Sequence, residues 1–97
     1  MMGDPAVALN ALQKVRHVLD VLASRGTMPT YVIRNWLDAR EIGCEKKWPG
    51  VKTRQILAVC KRAESLGYVE QEWTSYPTMK VWRITNAGRQ ITMRGRQ

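Results

Sequence analysis

The sequence has little cysteine, little histidine and no long apolar run, and each shortage argues against a class of protein. Its two cysteines, Cys44 and Cys60, follow no export signal, so we expect free thiols and no disulfide. One histidine, His17, and two distant cysteines lack the spacing of a zinc site. No stretch approaches the roughly 18 apolar residues of a membrane span. The sequence therefore predicts neither a disulfide-stabilised protein, nor a zinc protein, nor a protein that spans a membrane.

Signals for targeting and for catalysis are also missing. Residues 1–5 lack a basic start followed by an apolar run, so we expect an intracellular, cytoplasmic protein. Glu70 and Glu72 alternate along one predicted strand in a region without histidine, and no glycine-rich phosphate loop follows a strand. Acid–base and nucleophilic catalysis both need a positioned partner group. We therefore expect neither an enzyme activity nor a cofactor.

Acidic side chains are scarce in the second half of the chain. The sequence has 16 Lys and Arg against 8 Asp and Glu, a net charge of +8. Residues 1–45 carry five basic and five acidic side chains, whereas residues 46–97 carry eleven and three. A one-sided positive field favours nucleic acid, an anionic membrane surface or an acidic protein as a partner. Because many small soluble domains are basic, charge by itself leaves that choice open.

The length and composition predict one globular domain. A chain of 97 residues with 44% hydrophobic and 25% charged residues has the size and balance of a single folded unit. We expect one domain over residues 1–97, with its core over about 5–91 and a flexible tail at 92–97.

Three amphipathic helices are predicted first. Each has apolar residues at a spacing of three and four, which places them on one helical face. Each also has residues typical of helix ends. The helices are expected from Asp4 and Pro5 to a left-handed cap at Gly26, from Pro29 or Thr30 to about Ile42, and from Lys52 or Thr53 to Leu66. Their apolar stripes are Leu12, Val15, Leu19 and Leu22; Ile33, Trp36 and Leu37; and Ile56, Val59, Cys60, Ala63 and Leu66.

The apolar period changes from 3.6 to 2 after Gly67, which is typical of strands. Residues 68–73 and 81–85 are predicted to form a hairpin, and a last short helix is expected to end at Ile91. Residues 44–50 are expected to form a loop. In that loop Trp48 either stacks on a base or fills a gap beneath the chain, and the sequence leaves both open.

Two stretches resemble the winged helix-turn-helix family of bacterial and phage regulators. Residues 63–70, Ala-Glu-Ser-Leu-Gly-Tyr-Val-Glu, resemble the exit of that family's recognition helix into its first wing strand. Residues 81–89, Val-Trp-Arg-Ile-Thr-Asn-Ala-Gly-Arg, are similar to its return strand. The resemblance implies a mainly α fold with a small β-hairpin, a three-helix winged helix-turn-helix domain. The link at 43–51 is longer than the family's tight turn.

The resemblance also implies where DNA is bound, since the family's third helix enters the major groove and its wing touches the flanking DNA. Arginine can bind guanine through two hydrogen bonds, and glutamine can bind adenine in the same way. Lysines farther along suit phosphates. The alternative for these charges is a solvated basic face. The candidate contacts are Lys46, Lys47, Lys52, Thr53, Arg54, Gln55, Lys61, Arg62, Lys80 and Arg83.

The sequence therefore predicts a transcriptional regulator that binds double-stranded DNA. The alternative is a winged-helix module for protein interaction, such as an adaptor or a phage-encoded inhibitor of a host protein, because folds do not fix function. A homodimer and a protein partner are further expectations. A membrane partner is not expected, because the basic helix needs its other face for the core.

Overall fold

The computed structural model describes residues 10–38, 48–76 and 79–95. Over these residues it is mainly helical, with four helices and one three-stranded antiparallel sheet, an arrangement compatible with the predicted winged-helix fold. The elements are α1 Ala11–Arg25, β1 Met28–Pro29, α2 Thr30–Asp38, α3 Thr53–Ser65, β2 Val69–Glu72, β3 Val81–Ile84 and α4 Asn86–Gly95.

One apolar core joins the helices to the sheet, and α1 lies at its centre against α2, α3 and α4. The predicted stripes supply most of this core, because residues three and four apart share a helical face. Trp82 is the largest side chain that is completely buried. The main buried groups are Val15, Val18, Leu19 and Leu22 of α1, Ile33 and Leu37 of α2, Ile56, Val59, Cys60 and Ala63 of α3, and Val69, Trp82 and Ile84 of the sheet.

The ends of α1 differ from the prediction. The helix begins at Ala11, where the Asn10 side chain accepts the Gln13 N–H at 2.9 Å and the Gln13 side chain accepts the Asn10 N–H at 3.0 Å. This reciprocal capping box satisfies two N–H groups that a helix start leaves free. The predicted start at Asp4 and Pro5 lies outside the described residues. Gly26 ends the helix with a positive φ of 93°, but its ψ of −174° is extended, so it is not the left-handed helical cap that we expected.

The sheet contains a strand that the sequence pattern did not predict. Met28, which we expected in a short connection, and Pro29, a candidate first residue of the second helix, pair with Trp82 and Val81, so β3 lies between β1 and β2. Two residues are too few to show a period of two, which explains the omission. Because β1 runs directly into α2, the sheet holds the start of that helix.

Two leucines have an environment other than their pattern indicated, and one tryptophan decides between two alternatives. Leu12 is 55% exposed and Leu66 is 48% exposed, although both were assigned to apolar stripes. Leu12 lies in the first turn of α1, and Leu66 lies just beyond the last turn of α3. At these helix ends the apolar stripe is not covered by a described neighbouring element. Trp48 is buried, which confirms the gap-filling alternative. The last helix continues to Gly95 and buries Thr92, beyond the predicted end at Ile91 and into the segment expected to be a flexible tail.

The family-like motifs join α3 to β2 and β3 to α4. Thr85 links these two connections by hydrogen bonds. Its N–H donates to the Tyr68 carbonyl at 2.9 Å, and its hydroxyl donates to the Gly67 carbonyl at 2.6 Å. The same hydroxyl accepts the Gly88 N–H at 3.1 Å. Gly67 has a φ of +82°, a conformation that glycine adopts at little cost. These motif residues therefore fix the wing against the helices.

Candidate nucleic-acid interface

The outward face of α3 is basic, and the core determines which face that is. Burial of Ile56, Cys60 and Ala63 against α1 and α2 turns the opposite side of the helix to solvent. With 100° per residue, Arg54 and Lys61 fall within about 20° of each other on that side. At a rise of 1.5 Å per residue they stand about 10 Å apart along the axis. The exposed residues of this face are Arg54, Ala58, Lys61, Arg62 and Ser65.

The first turn of α3 uses one candidate side chain for its own capping. Gln55 accepts the Lys52 N–H through its side-chain oxygen at 2.8 Å. A glutamine that reads adenine uses both its oxygen and its nitrogen. Since the oxygen is occupied within the helix start, Gln55 is a poorer reader than the sequence alone indicates. Arg54, one position earlier, is exposed and has no such bond.

The start of α3 is anchored to the end of α2 by the described part of the long link. The Trp48 N–H donates to the Leu37 carbonyl at 3.0 Å, and its indole is buried in the core. The Gly50 N–H donates to the Asp38 carboxylate at 2.8 Å, and Val51 is buried beside them. The Lys14 ammonium lies 5.4 Å from the centre of the Trp48 ring. This packing fixes the position of Lys52 and therefore the direction in which α3 leaves the link.

The α3 cations have no acidic partner among residues 10–38, 48–76 and 79–95. None of Lys52, Arg54, Lys61 and Arg62 forms an ion pair with an acidic residue in the described parts of the chain. Glu64, the acid on the same helix, accepts a hydrogen bond from the Gln71 amide of β2 at 3.3 Å. The basic face therefore remains available to an external anion.

Arg83 of the wing has partners of its own. It stands opposite Glu70 in the β2–β3 register and pairs with that carboxylate, and it contacts the Glu72 carboxylate at 2.8 Å. The hydrogen bond to Glu70 and then the charges of Glu70 and Glu72 raise the pKa of Arg83 above its usual range. Among the predicted wing contacts, Arg83 is thus the one whose charge is already balanced.

The tip of the wing is aromatic. Trp73 is 87% exposed and Tyr76 is 65% exposed, and both follow β2 directly in the chain. At the tip the Met79 N–H donates to the Tyr76 carbonyl at 2.9 Å. The tip therefore exposes two large aromatic side chains to solvent.

A cleft of about 330 Å³ opens between the starts of α2 and α3 and the base of the wing. It brings together Arg54 and Lys80, which the sequence placed on different elements. The Lys80 carbonyl accepts two hydrogen bonds from Thr30, from its N–H at 3.0 Å and from its hydroxyl at 3.1 Å. The cleft is lined by Pro29, Thr30, Tyr31, Thr53, Arg54, Leu57, Met79 and Lys80.

Lys46, Lys47 and Cys44 lie outside the described residues. Cys60 is a free and buried thiol, as expected. Over the described ranges, no group of three or more histidine, cysteine or carboxylate side chains is placed to hold a metal ion. Within the same ranges, no helix has both the length and the apolarity needed to cross a bilayer.

Comparisons with known proteins support the fold. No family model matches this chain, and no curated protein matches it. A solved chain described as "The complex structure of hsRosR-S4" is similar, with a TM-score of 0.69 and 20% sequence identity. The match covers 93% of this chain and 70% of that chain. At this level of identity the likeness shows a shared fold, and it agrees with the winged-helix interpretation of the sequence.

Proposed function

We propose that this protein binds double-stranded DNA as a transcriptional regulator, with α3 in the major groove and the wing against the flanking DNA. The observation that carries the proposal is the outward basic face of α3, whose cations form no ion pair with any acidic residue in the described ranges. A helix of this width fits the major groove of B-DNA. Arg54 is the candidate base reader, because it lies at the start of α3 and is exposed.

Two kinds of contact are expected on this face, and they have different signatures. A base contact specifies sequence, whereas a phosphate contact adds affinity to every sequence. Arg54 is assigned to the first kind. Lys61 and Arg62, farther along the helix, are assigned to the second. Arg83 has no direct role in this scheme, because Glu70 and Glu72 already balance its charge.

The test is a fluorescence-anisotropy titration of selected and random duplexes at two salt concentrations. We expect Arg54→Ala to weaken binding to the selected duplex by about 1–3 kcal/mol and to relax its preference. Lys61→Ala should weaken both duplexes alike and reduce the salt slope by about 1. Arg89→Ala is the charge-matched control, since it removes an exposed cation from α4. The proposal is wrong if the wild-type protein binds neither duplex at low salt.

A second candidate function is a protein-interaction module, and the exposed aromatic wing tip favours it. Trp73 and Tyr76 are residue types that anchor protein interfaces when a partner covers them. A pull-down that returns one stoichiometric partner after nuclease treatment, and loses it in Trp73→Ala, supports this candidate over DNA binding. Loss of the partner on nuclease treatment supports DNA binding.

A further inference from the structure

We propose that the cleft between α2, α3 and the base of the wing binds a small organic anion with an apolar body, and that this ligand competes with DNA. The competition depends on the proposed function, whereas the binding does not. The cleft is lined by two cations, Arg54 and Lys80, and no acidic residue is among its lining residues. Its remaining walls are largely apolar.

The backbone of each of the two cationic residues is held in place by hydrogen bonds. The backbone of Lys80 is held to α2 by the two hydrogen bonds from Thr30, whose hydroxyl also accepts the buried Trp82 indole N–H at 2.8 Å. Arg54 belongs to the first turn of α3, which Gln55 caps. Neither cation pairs with a described acidic residue, unlike Arg83 in the same wing. A carboxylate in the cleft would therefore meet no competing carboxylate from the part of the chain that the structure describes.

The electrostatics of the helix starts add to these side chains. The cleft is lined by the first residues of both α2 and α3, Thr30 and Thr53. A helix start carries a partial positive charge, because its first N–H groups have no partner within the helix. At the start of α2 the Thr30 N–H already donates to the Lys80 carbonyl. The start of α3 and the two cations thus favour one negative charge at the same place.

The walls and the volume define the rest of the ligand. Tyr31, Leu57 and Met79 offer apolar surface that an inorganic ion would leave uncovered. A purely apolar molecule would leave both cations without a partner. The volume of about 330 Å³ lies near the lower end of small-molecule sites. The class that fits is a small carboxylate on an aromatic or aliphatic body.

Competition follows from the shared residue. Arg54 lines the cleft and is also the candidate base reader of α3. A guanidinium that pairs with a carboxylate in the cleft is not available to guanine. The ligand would therefore bind the DNA-free protein more tightly than the DNA-bound protein, and this difference in affinity sets how far it lowers the affinity for DNA.

The binding test uses benzoate as the probe, benzamide as its neutral counterpart and inorganic phosphate as the ion without an apolar body. Amide chemical shifts in the intact protein report binding and show that each variant is folded. We expect saturable benzoate binding with a Kd on the order of 1 mM. Arg54→Gln and Lys80→Gln should each weaken it about tenfold. Arg62→Gln, an exposed cation of α3 outside the cleft, is the matched control.

Binding of benzamide or of phosphate as tight as that of benzoate would overturn the proposed ligand site. So would a loss of benzoate affinity in Arg62→Gln equal to that in Arg54→Gln and Lys80→Gln. Absence of saturable benzoate binding would overturn it as well. Because this titration contains no DNA, its outcome is independent of the proposed function.

The competition test measures DNA affinity by anisotropy in sodium benzoate and in sodium chloride of equal ionic strength. We expect benzoate to weaken DNA binding of the wild-type protein and of Lys61→Ala by the same factor. It should have a much smaller effect on Lys80→Gln. Equal DNA affinity in the two salts would refute the competition. A protein that binds benzoate but no DNA would refute both the competition and the proposed function, and would leave the cleft as a ligand site.

Discussion

Cys60 shows at the scale of one residue how burial sets chemistry. Its thiol is enclosed by the core face of α3, and burial, with a smaller effect of the Glu64 charge, raises its pKa from 9.0 to about 12. The thiolate is the reactive form of cysteine, so a thiol with this pKa is inert at neutral pH. Folding therefore favours the protonated thiol. Its contribution to the free energy of unfolding is fully present below pH 9 and is lost as the pH rises toward 12.

The expected behaviour is slow labelling of Cys60 in the folded protein. In a chain that carries Cys44→Ser, Ellman's reagent at pH 8 should react with Cys60 only as fast as the protein opens. The same chain in urea, where the thiol is exposed, should react at once and provides the control. Equal rates with and without urea would contradict the burial of this thiol.

Gly88 has a specific structural reason to be glycine. A Cβ at this position would lie 2.8 Å from Ile84 Cγ1 and 3.1 Å from the Tyr68 carbonyl carbon. Contacts this short force the backbone of α4 away from the joint between α3 and β2. The resemblance pointed to this glycine, but the spacing of the sequence did not show what it touches.

Gly88→Ala therefore provides a test with two opposite expectations. Helix propensity alone would stabilise the protein by about 1 kcal/mol. The close contacts predict a loss of about 1–3 kcal/mol instead. Gln90→Ala, at an exposed position of the same helix, should change stability by less than about 0.5 kcal/mol. Urea unfolding of the three proteins measures both values, and a stabilised Gly88→Ala would show that α4 lies farther from the joint.

At the scale of elements, the wing and α2 are tied by one polar cluster in an apolar setting. The Thr30 hydroxyl accepts the Trp82 indole N–H and donates to the Lys80 carbonyl. Both side chains are buried, so a lost bond leaves a polar group without water or a partner. This cluster is what places Lys80 beside the start of α3.

Thr30→Val keeps the shape of the side chain and removes its hydroxyl. We expect it to lower the free energy of unfolding by about 1–3 kcal/mol, because the Trp82 N–H stays buried without an acceptor. Thr27→Val, at an exposed position of the preceding connection, serves as the control and should stay within about 0.5 kcal/mol of the wild type. Equal stability of both variants, measured by urea unfolding, would argue against the cluster.

The helices and the hairpin were predictable, because their apolar periods extend over enough residues to be distinct. The bounds of α3 agree with the prediction within one residue, since capping and burial both point to its ends. The strand β1 and the cleft were not predictable. Both depend on contacts between distant parts of the chain: β1 pairs with Val81 and Trp82, and the cleft lies where Thr30 bonds to Lys80, 50 positions away. The neutralisation of Arg83 likewise depends on the strand register.

At the scale of the whole molecule, the uneven charge of the chain becomes an uneven surface. The three acidic residues of its second half, Glu64, Glu70 and Glu72, lie at the end of α3 and along β2, where two of them hold Arg83. Among the described residues, the cations that form no ion pair with a described acidic residue include Lys52 at the N-cap of α3, Arg54, Lys61 and Arg62 of that helix, and Lys80 at the base of the wing. Such a group of described cations without acidic partners favours an anionic partner.

The central claim, that the outward face of α3 meets the duplex, is tested most directly by following backbone amide signals while duplex DNA is added. The account predicts that the largest shifts fall on residues 52–62 and on the wing near Lys80, and that they shrink as salt rises. Amides of α4 and of the outer edge of β2 should move little. Shifts concentrated on α4 or on the Glu70–Glu72 edge, with α3 unchanged, would contradict the claim.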